Sequence, residues 1–152
     1  SKLLNYKSYY VPKSIAYHHG SAQWKWSGEK FYLLERNRWI VLLSNYNFIT
    51  IIRLLPALLI IEIALLVFFT KKRILIKKLQ SYGGIIKSLK HIQKRRKLIK
   101  KSRIINDKEM IKTFVTTIEA PLEVSDNSSI ENFNKILTFL CKISGFSAKN
   151  IK

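Results

Sequence analysis

A long, predominantly apolar run occupies the middle of the sequence, over residues 48–70, and reads FITIIRLLPALLIIEIALLVFFT. A helix of these 23 residues would be about 34 Å long, enough to cross a hydrocarbon core of about 30 Å. Its two charged residues, Arg53 and Glu62, point to opposite sides of such a helix and cannot pair along it. An unpaired carboxylate at the bilayer centre costs about 2.5–3.5 kcal/mol. Glu62 therefore needs protonation, a partner from elsewhere, or a position outside the bilayer interior.

Most of the positive charge lies directly behind this run. The chain has 28 Lys and Arg residues against 9 Asp and Glu, a formal net charge of +19, and fourteen of the cations fall between Lys71 and Arg103 without one acidic residue. Positive residues beside an apolar helix stay on the cytoplasmic side and attract acidic lipid headgroups. We therefore predict a location at the cell membrane, on its cytoplasmic side, with anionic lipids as partners. The residues predicted to lie at the membrane surface are Lys71, Lys72, Arg73, Lys77 and Lys78.

The basic stretch has the periodicity of a helix. Its apolar residues recur at steps of three and four, at Leu75, Leu79, Tyr82, Ile86 and Leu89. Two interpretations stay open: a helix whose apolar stripe faces a core, or a helix lying on a membrane surface. Nucleic-acid binding is disfavoured, because the stretch adjoins an apolar helix and has few aromatic side chains for base stacking. Gly83 and Gly84 predict a kink or a break between two helices.

The tail predicts one more helix, over about residues 129–143. Ser128 and Glu131 match a capping box, and Gly145 supplies a stop. The apolar stripe of this helix, expected to pack against the rest of the protein, is Ile130, Phe133, Leu137 and Leu140. The one cysteine of the chain, Cys141, excludes an internal disulfide and a multi-cysteine zinc site.

The first 47 residues combine aromatic side chains with two adjacent histidines. Val11-Pro12 and the residues after it predict short strands that end at His18 and His19. Adjacent strand residues point to opposite faces, so at most one imidazole faces a given site, and a surface or loop hydrogen bond is the alternative role. With Ser27 as its cap, an amphipathic helix is predicted over 29–47. The sequence has no Ser-His-Asp set, paired carboxylates, phosphate-binding glycine loop or zinc spacing.

Several short motifs fall in an order that resembles a known family. Tyr-Val-Pro-Lys-Ser at 10–14, Tyr-His-His-Gly-Ser at 17–21 and Lys-Phe-Tyr-Leu-Leu-Glu-Arg-Asn-Arg-Trp at 30–39 resemble the C-terminal portion of glycosyltransferase family 2 enzymes of the rhamnosyltransferase-like kind. The likeness continues through the apolar run to Lys-Arg-Arg-Lys at 94–97 and Arg-Ile-Ile-Asn-Asp at 103–107. It covers roughly residues 9–112, and the tail is unmatched.

The resemblance implies transfer of a sugar from a nucleotide-sugar donor to a lipid-linked or cell-surface glycan acceptor, assisted by Mg²⁺ or Mn²⁺. It implies that His18, with His19 as runner-up, completes the metal and diphosphate site. Trp24, Arg36 and Asn37 would lie on the donor or acceptor side. The implied fold is mainly α with a short N-terminal β remnant: the C-terminal end of a GT-A α/β domain, followed by membrane-associated helices.

The family's nucleotide-binding half, its Asp-x-Asp metal motif and its acidic catalytic base lie upstream of the matched stretch and have no counterpart in this sequence. We therefore expect the C-terminal part of such an enzyme, inactive alone, with no catalytic residue and no metal bound by this chain alone. A non-enzymatic basic membrane-anchoring or interaction module is the alternative. The expected segments are 1–28, the end of the GT-A-like domain with short strands and a histidine loop; 29–47, an amphipathic helix; 48–70, an apolar membrane helix; 71–112, basic amphipathic helices; and 113–152, the tail.

Both flanks of the apolar run are expected on the cytoplasmic side. Nucleotide sugars are cytoplasmic, and the fourteen cations behind the run prefer the same side. One crossing cannot satisfy both flanks. The prediction is therefore a helix embedded in or lying on the inner leaflet, or a re-entrant hairpin broken near Arg53 and Pro56, in preference to a single span.

Overall fold

The structure, a computed structural model, describes residues 2–15, 17, 27–112, 115–118 and 127–145. Over these residues the chain is mainly helical, as predicted. A short 3₁₀ turn at Lys2–Leu4 precedes the α-helices. The helices are α1 (Gly28–Asn45), α2 (Phe48–Lys71), α3 (Leu75–Lys87), α4 (Leu89–Ser102), α5 (Asp107–Ile111) and α6 (Asn127–Ile143).

The short strands expected before residue 28 are absent from residues 2–15 and 17. After the 3₁₀ turn, residues 6–15 form exposed irregular chain with one tight turn, in which the Ser14 amide donates to the Val11 carbonyl at 3.0 Å. A strand needs a neighbour to pair its backbone groups, and none lies beside this segment in the described chain. The segment is instead tied down at its start, where the Leu3 carbonyl accepts from the Ile104 amide at 2.9 Å.

Helices α1 and α2 form an antiparallel hairpin. The Ser27 side chain caps α1 by accepting from the Lys30 amide at 3.3 Å, as predicted. At the other end of α1 the extended pair Tyr46 and Asn47 turns the chain back into α2. The ring of Phe31, near the start of α1, therefore meets the rings near the end of α2. The two edge-to-face contacts have centroid distances of 5.3 Å to Phe68 and 5.6 Å to Phe69.

Helix α2 is continuous over the whole apolar run. It passes through Pro56 without a break, so the re-entrant hairpin expected near Arg53 and Pro56 is not formed. α2 is long and apolar enough to cross a membrane, and only 17% of its most apolar stretch is buried inside the protein. The core helix of a soluble protein is mostly buried, whereas α2 is mostly open to its surroundings.

Helices α3 and α4 lie along α1. The chain leaves α2 through a tight turn in which Arg73 has a positive φ of 57°. It then runs through Gly83 and Gly84 in one helix, so of the kink or break predicted at these glycines the break is not formed. The break comes at Ser88, whose hydroxyl donates to the Gly84 carbonyl at 2.8 Å. The small residue at position 84 serves close packing instead.

The apolar stripe predicted along α3 and the start of α4 is divided between the inside and the outside of the bundle. Lys78 and Ser81 are fully buried, whereas Leu79, Ile86 and Leu89 of the predicted apolar stripe are exposed. Periodicity correctly identifies residues on a common face, but it does not state which face points inward. Leu75 and Tyr82, the other members of the stripe, are half-buried, so the stripe as a whole is neither a core face nor an outer face.

The apolar core lies around the turn between α1 and α2. Its buried members are Tyr46, Ile51, Leu58 and Ile111, packed against Trp39, Leu42, Leu43, Leu54 and Met110. Helix α6 packs on α2 through its predicted stripe, of which Leu137 is buried. α6 begins at Asn127, so Ser128 lies inside the first turn, and the helix stops before Gly145, whose φ is +78°. That left-handed position suits glycine at a helix end, as predicted.

The close approach of α3 to α1 at Gly84 gives a matched test. A Cβ at Gly84 would lie 2.8 Å from the Tyr32 hydroxyl and 2.9 Å from Arg36 Cδ, whereas one at Gly83 meets nothing within 4 Å. Because alanine favours a helix over glycine by about 1 kcal/mol, Gly83→Ala should raise the free energy of unfolding by up to about that amount. Gly84→Ala should gain less, since Tyr32 and Arg36 must move. Equal gains in denaturant unfolding of the two variants would contradict the contact.

Candidate functional site

A cluster of charged side chains lies inside the helical bundle, where α1, α2 and α3 meet. We call it the central polar cluster, and its members are Glu35, Arg38, Glu62, Lys78 and Tyr82. Lys78 is completely buried and Glu35 is buried to 6% exposure. The cluster contains two carboxylates and two cations, so its net charge is zero.

Each carboxylate of the central polar cluster has more than one partner. Lys78 Nζ lies 2.6 Å from Glu62 Oε1 and also donates to Glu35. Arg38 Nη2 lies 2.8 Å from Glu35 Oε2 and also reaches Glu62 Oε2. The Tyr82 hydroxyl donates to Glu62 Oε1. The pKa of Tyr82 is raised, first by its burial and then by this hydrogen bond to a carboxylate.

These contacts supply the partners that the carboxylate of Glu62 needs in the middle of an apolar helix. Its partners are Arg38 from the preceding helix and Lys78 from the following one, and Arg53 on its own helix is not among them. Removing one partner of a buried ion pair is costly because it leaves an uncompensated charge. The pairing of Glu62 therefore fixes the side of α2 against which α1 and α3 pack.

A second polar group holds the turn between α1 and α2, and we call it the turn clasp. Asp107 of α5 accepts from the Asn47 amide at 2.8 Å and from the Thr50 hydroxyl at 2.6 Å, and it pairs with Arg103. Arg103 Nη1 also donates to the Asn45 carbonyl at 3.1 Å. Arg96 donates to the Leu43 carbonyl and, at 2.8 Å, to the Tyr46 carbonyl. The two arginines thus satisfy carbonyl groups that the end of α1 leaves unpaired.

The outer surface of the bundle is apolar along α2. The large apolar side chains on one face of this helix are 42–67% exposed. We call this the outer face of α2, and it comprises Phe48, Ile49, Ile52, Leu55, Leu59, Ile63 and Val67. Helix α3 adds exposed Ile76, Leu79 and Ile86. Exposed apolar patches of this extent mark interaction or membrane surfaces.

Helix α4 carries the opposite character on its outside. Its exposed cations, which we call the cationic face, are Lys90, Lys94, Arg95, Lys97, Lys100 and Lys101. Within the part of the chain that the structure describes, none of them forms an ion pair. Their charge is therefore available to an anionic partner.

The cations predicted for a membrane surface divide into two groups. Lys71, Lys72 and Arg73 are exposed at the end of α2 and in the turn after it, while Lys77 pairs with Glu29 at the bundle surface. The prediction that Lys78 lies at the membrane surface is wrong. Lys78 is buried in the central polar cluster, because the carboxylates of Glu35 and Glu62 need a cation there.

The residues predicted for the sugar-transfer site are only partly within the described chain. His18, His19 and Trp24 lie outside it. Arg36 and Asn37 lie next to each other on α1, where Arg36 Nη2 donates to Asn37 Oδ1 at 3.0 Å and the guanidinium sits 5.5 Å from the centre of the Tyr32 ring. Arg36 packs its aliphatic part beside Gly84 of α3, whereas Asn37 is exposed, and neither residue belongs to the central polar cluster.

The residues described do not form a metal site. Among them no three His, Cys, Asp or Glu side chains come together in a group that could hold a metal ion. The carboxylates that do meet, Glu35 and Glu62, are already paired with Arg38 and Lys78.

Comparison with protein-family models, with curated proteins and with solved structures found no match to this chain. The interpretation of the chain accordingly depends on its own residues and geometry.

Sequence reasoning missed the central polar cluster as a unit. Glu35 and Arg38 are separated by one helical turn, and Glu62 stands alone in an apolar run, so each was visible as a charge that needs a partner. No pattern in the sequence predicts that α1 and α3 pack on the same side of α2. Lys78, surrounded in sequence by solvent-exposed lysines, gave no separate signal.

Adjacent lysines on α3 give a direct test of the central polar cluster. Lys78→Met leaves Glu35 and Glu62 buried without one of their cations, so the free energy of unfolding in detergent should fall by about 3–5 kcal/mol. Lys77→Met removes only an exposed pair with Glu29 and should cost about 0–1 kcal/mol. Similar losses for the two variants would show that Lys78 is not buried among the carboxylates.

The turn clasp predicts an acid-dependent stability. Burial alone would raise the pKa of Asp107, but the hydrogen bonds from Thr50 and the Asn47 amide, together with Arg103, lower it below its usual value. The clasp is therefore fully stabilising above the ordinary pKa of about 3.9 and is lost as the pH falls through the lower folded-state pKa. Asp107→Asn should lower the melting temperature near pH 7 and lose this difference in strong acid. Glu109→Gln, an exposed change on the same helix, should follow the wild type, and a pH-independent deficit of Asp107→Asn would contradict the assignment.

Proposed function

We propose that this chain is the membrane-associated helical part of a glycosyltransferase, one that transfers a sugar from a nucleotide-sugar donor to a lipid-linked or cell-surface glycan acceptor. In this proposal the helices hold the catalytic GT-A domain at the cytoplasmic face of the cell membrane. The chain contributes attachment and orientation, and a domain that contains the Asp-x-Asp motif and the acidic base performs the transfer with Mg²⁺ or Mn²⁺. His18 or His19 would complete that metal site.

The observation that carries the membrane part is the distribution of polarity in the bundle. Glu35, Arg38, Glu62 and Lys78 point inward to the central polar cluster, while a face of large apolar side chains on α2, and Ile76, Leu79 and Ile86 of α3, point outward. Water would favour the opposite arrangement, because burying charge is costly and exposing large apolar side chains gains nothing. A hydrocarbon environment on the outside favours the arrangement found.

The resemblance in sequence supports the transferase part. Three of the five motifs supply residues that hold the helices together. These residues are Glu35 and Arg38 in the motif at 30–39, Arg96 in the motif at 94–97, and Arg103 and Asp107 in the motif at 103–107. Residues from motifs that follow one another in the order of the family thus contribute to the same helical packing. Arg36 and Asn37, which take no part in these clusters, remain available for the donor or acceptor side.

The packing of α1 on α2 favours attachment at one leaflet over a single span. α1 runs antiparallel along α2, from the Phe31–Phe68 contact to the turn at Tyr46, and it brings Glu35 and Arg38 to the middle of the bundle. One side of α2 is therefore covered by a helix with charged residues at its middle, while its outer face remains apolar and exposed. A helix lying in the inner leaflet satisfies both sides, and it leaves both flanks in the cytoplasm.

A non-enzymatic membrane anchor or interaction module is the second candidate. The outer face of α2 and the cationic face of α4 are together sufficient for binding to an anionic membrane. This function needs no catalytic domain.

Gene disruption with complementation separates the two candidates. A strain without the gene should lack at least one sugar of its surface glycan, and the wild-type gene should restore it. A variant with Ile52→Lys, Leu59→Lys and Ile63→Lys on the outer face of α2 should leave the membrane fraction after an alkaline wash and restore at least about tenfold less sugar, because each lysine costs about 2.5–3.5 kcal/mol in hydrocarbon.

The matched control places three lysines at exposed apolar positions of α6, by Ile136→Lys, Phe139→Lys and Ile143→Lys. This control should stay in the membrane fraction and restore the sugar. An unchanged glycan in the disrupted strain would reject the transferase and leave the anchor. Retention of the α2 variant in the membrane would reject the membrane surface itself.

A further inference from the structure

We propose that the pocket between the α1–α2 turn and α4 binds the phosphomonoester headgroup of a lipid whose chains lie along the outer face of α2. This inference rests on the proposed membrane association and adds a specific ligand to it. The pocket has a volume of about 720 Å³. It therefore has room for roughly two dozen waters at about 30 Å³ each, which is ample for a phosphate with its glycerol.

The lining of the pocket is strongly cationic. Arg96, Lys97, Lys100 and Arg103 line it, and no Asp or Glu is among the lining residues. The carboxylate of Asp107, which is not among the lining residues, pairs with Arg103. Four cations against this one carboxylate leave an excess of three positive charges. Such an excess favours a dianionic phosphomonoester over the single charge of a phosphodiester.

The four cations divide into a fixed pair and a free pair. Arg96 and Arg103 are held by backbone carbonyls of the turn, with the Arg96 bond to Tyr46 at 2.8 Å and the Arg103 bond to Asn45 at 3.1 Å. Lys97 and Lys100 form no ion pair within the described chain and are exposed. A fixed cationic floor costs no ordering on binding, and the two free ammonium groups can close on the phosphate.

The position of the pocket points to a lipid instead of a soluble phosphate. Phe48, which lines the pocket, is also the first residue of the outer face of α2 and is 62% exposed. Its ring packs under the Arg96 guanidinium, 4.1 Å from the ring centre. A ligand with its phosphate in the pocket would therefore have an apolar surface directly beside it. Acyl chains suit that surface, and a soluble sugar phosphate does not use it.

Photocrosslinking in vesicles tests the site with the full chain. The protein is reconstituted in phosphatidylcholine vesicles that contain a trace of photoactivatable phosphatidic acid, and the label is displaced by unlabelled lipids. Phosphatidic acid should displace it at about tenfold lower concentration than phosphatidylglycerol, which carries a phosphodiester. The double variant Lys97→Gln and Lys100→Gln should lose this preference, because each lysine contributes about a fivefold attraction near the surface.

The matched control is Lys94→Gln with Lys101→Gln, two exposed cations of the same helix that do not line the pocket. It should keep the preference for phosphatidic acid, and both double variants should keep the melting temperature of the wild type. Equal losses in the two variants, or no preference in the wild type, would overturn the pocket. Displacement by soluble glycerol 3-phosphate as effective as that by phosphatidic acid would overturn the lipid. Failure of the chain to enter vesicles of any composition would instead reject the proposed membrane association.

Discussion

The pairing of Glu62 is the interaction on which the bundle depends. A carboxylate in the middle of an apolar helix cannot be left unpaired, whether its surroundings are lipid or packed protein. Arg38 comes from α1 and Lys78 from α3. Because both pair with the Glu62 carboxylate, α1 and α3 must pack on the same side of α2. The face of α2 that these helices do not cover keeps its large apolar side chains exposed, and α6 packs on α2 as well. The exposed apolar face is thus a consequence of the buried charge.

The same requirement determines the orientation of α3. Lys78 must point inward to reach Glu35 and Glu62, and a helix that turns this residue inward carries Leu79 and Ile86 outward. The small side chains of Ser81 and Gly84 lie on the inward side, where α3 approaches α1 closely. The sequence left open whether the apolar stripe of α3 faces a core or a membrane. The inward position of Lys78 decides this for Leu79 and Ile86, which lie on the outside.

The parts of the fold that local chemistry determines were predictable from the sequence. Ser27 begins α1, Gly145 follows α6, and the apolar run forms α2 within one residue of its predicted end. Contacts between distant residues were not predictable: Asp107 meets Asn47 across sixty positions of chain, and no pattern near either residue announces it. Gly84 shows the same limit, since a glycine that permits close packing looks in sequence like one that breaks a helix. Of the candidate site, only the excess of positive charge behind the apolar run was predictable from the sequence.

The structure also changes what that excess of charge means. Fourteen cations follow the apolar run, but they have three different uses. Lys78 neutralises buried carboxylates, whereas Arg96 and Arg103 keep their charge but are fixed in position by the carbonyl end of α1. The cationic face of α4 holds the largest group of the remaining cations. Because the turn clasp fixes α4 beside the first residue of the outer face of α2, charge and apolar surface meet at one place. A count of basic residues predicts attraction to anions. The attachment of α4 to the α1–α2 turn through Arg96 and Arg103 determines where an anion with an apolar tail would bind.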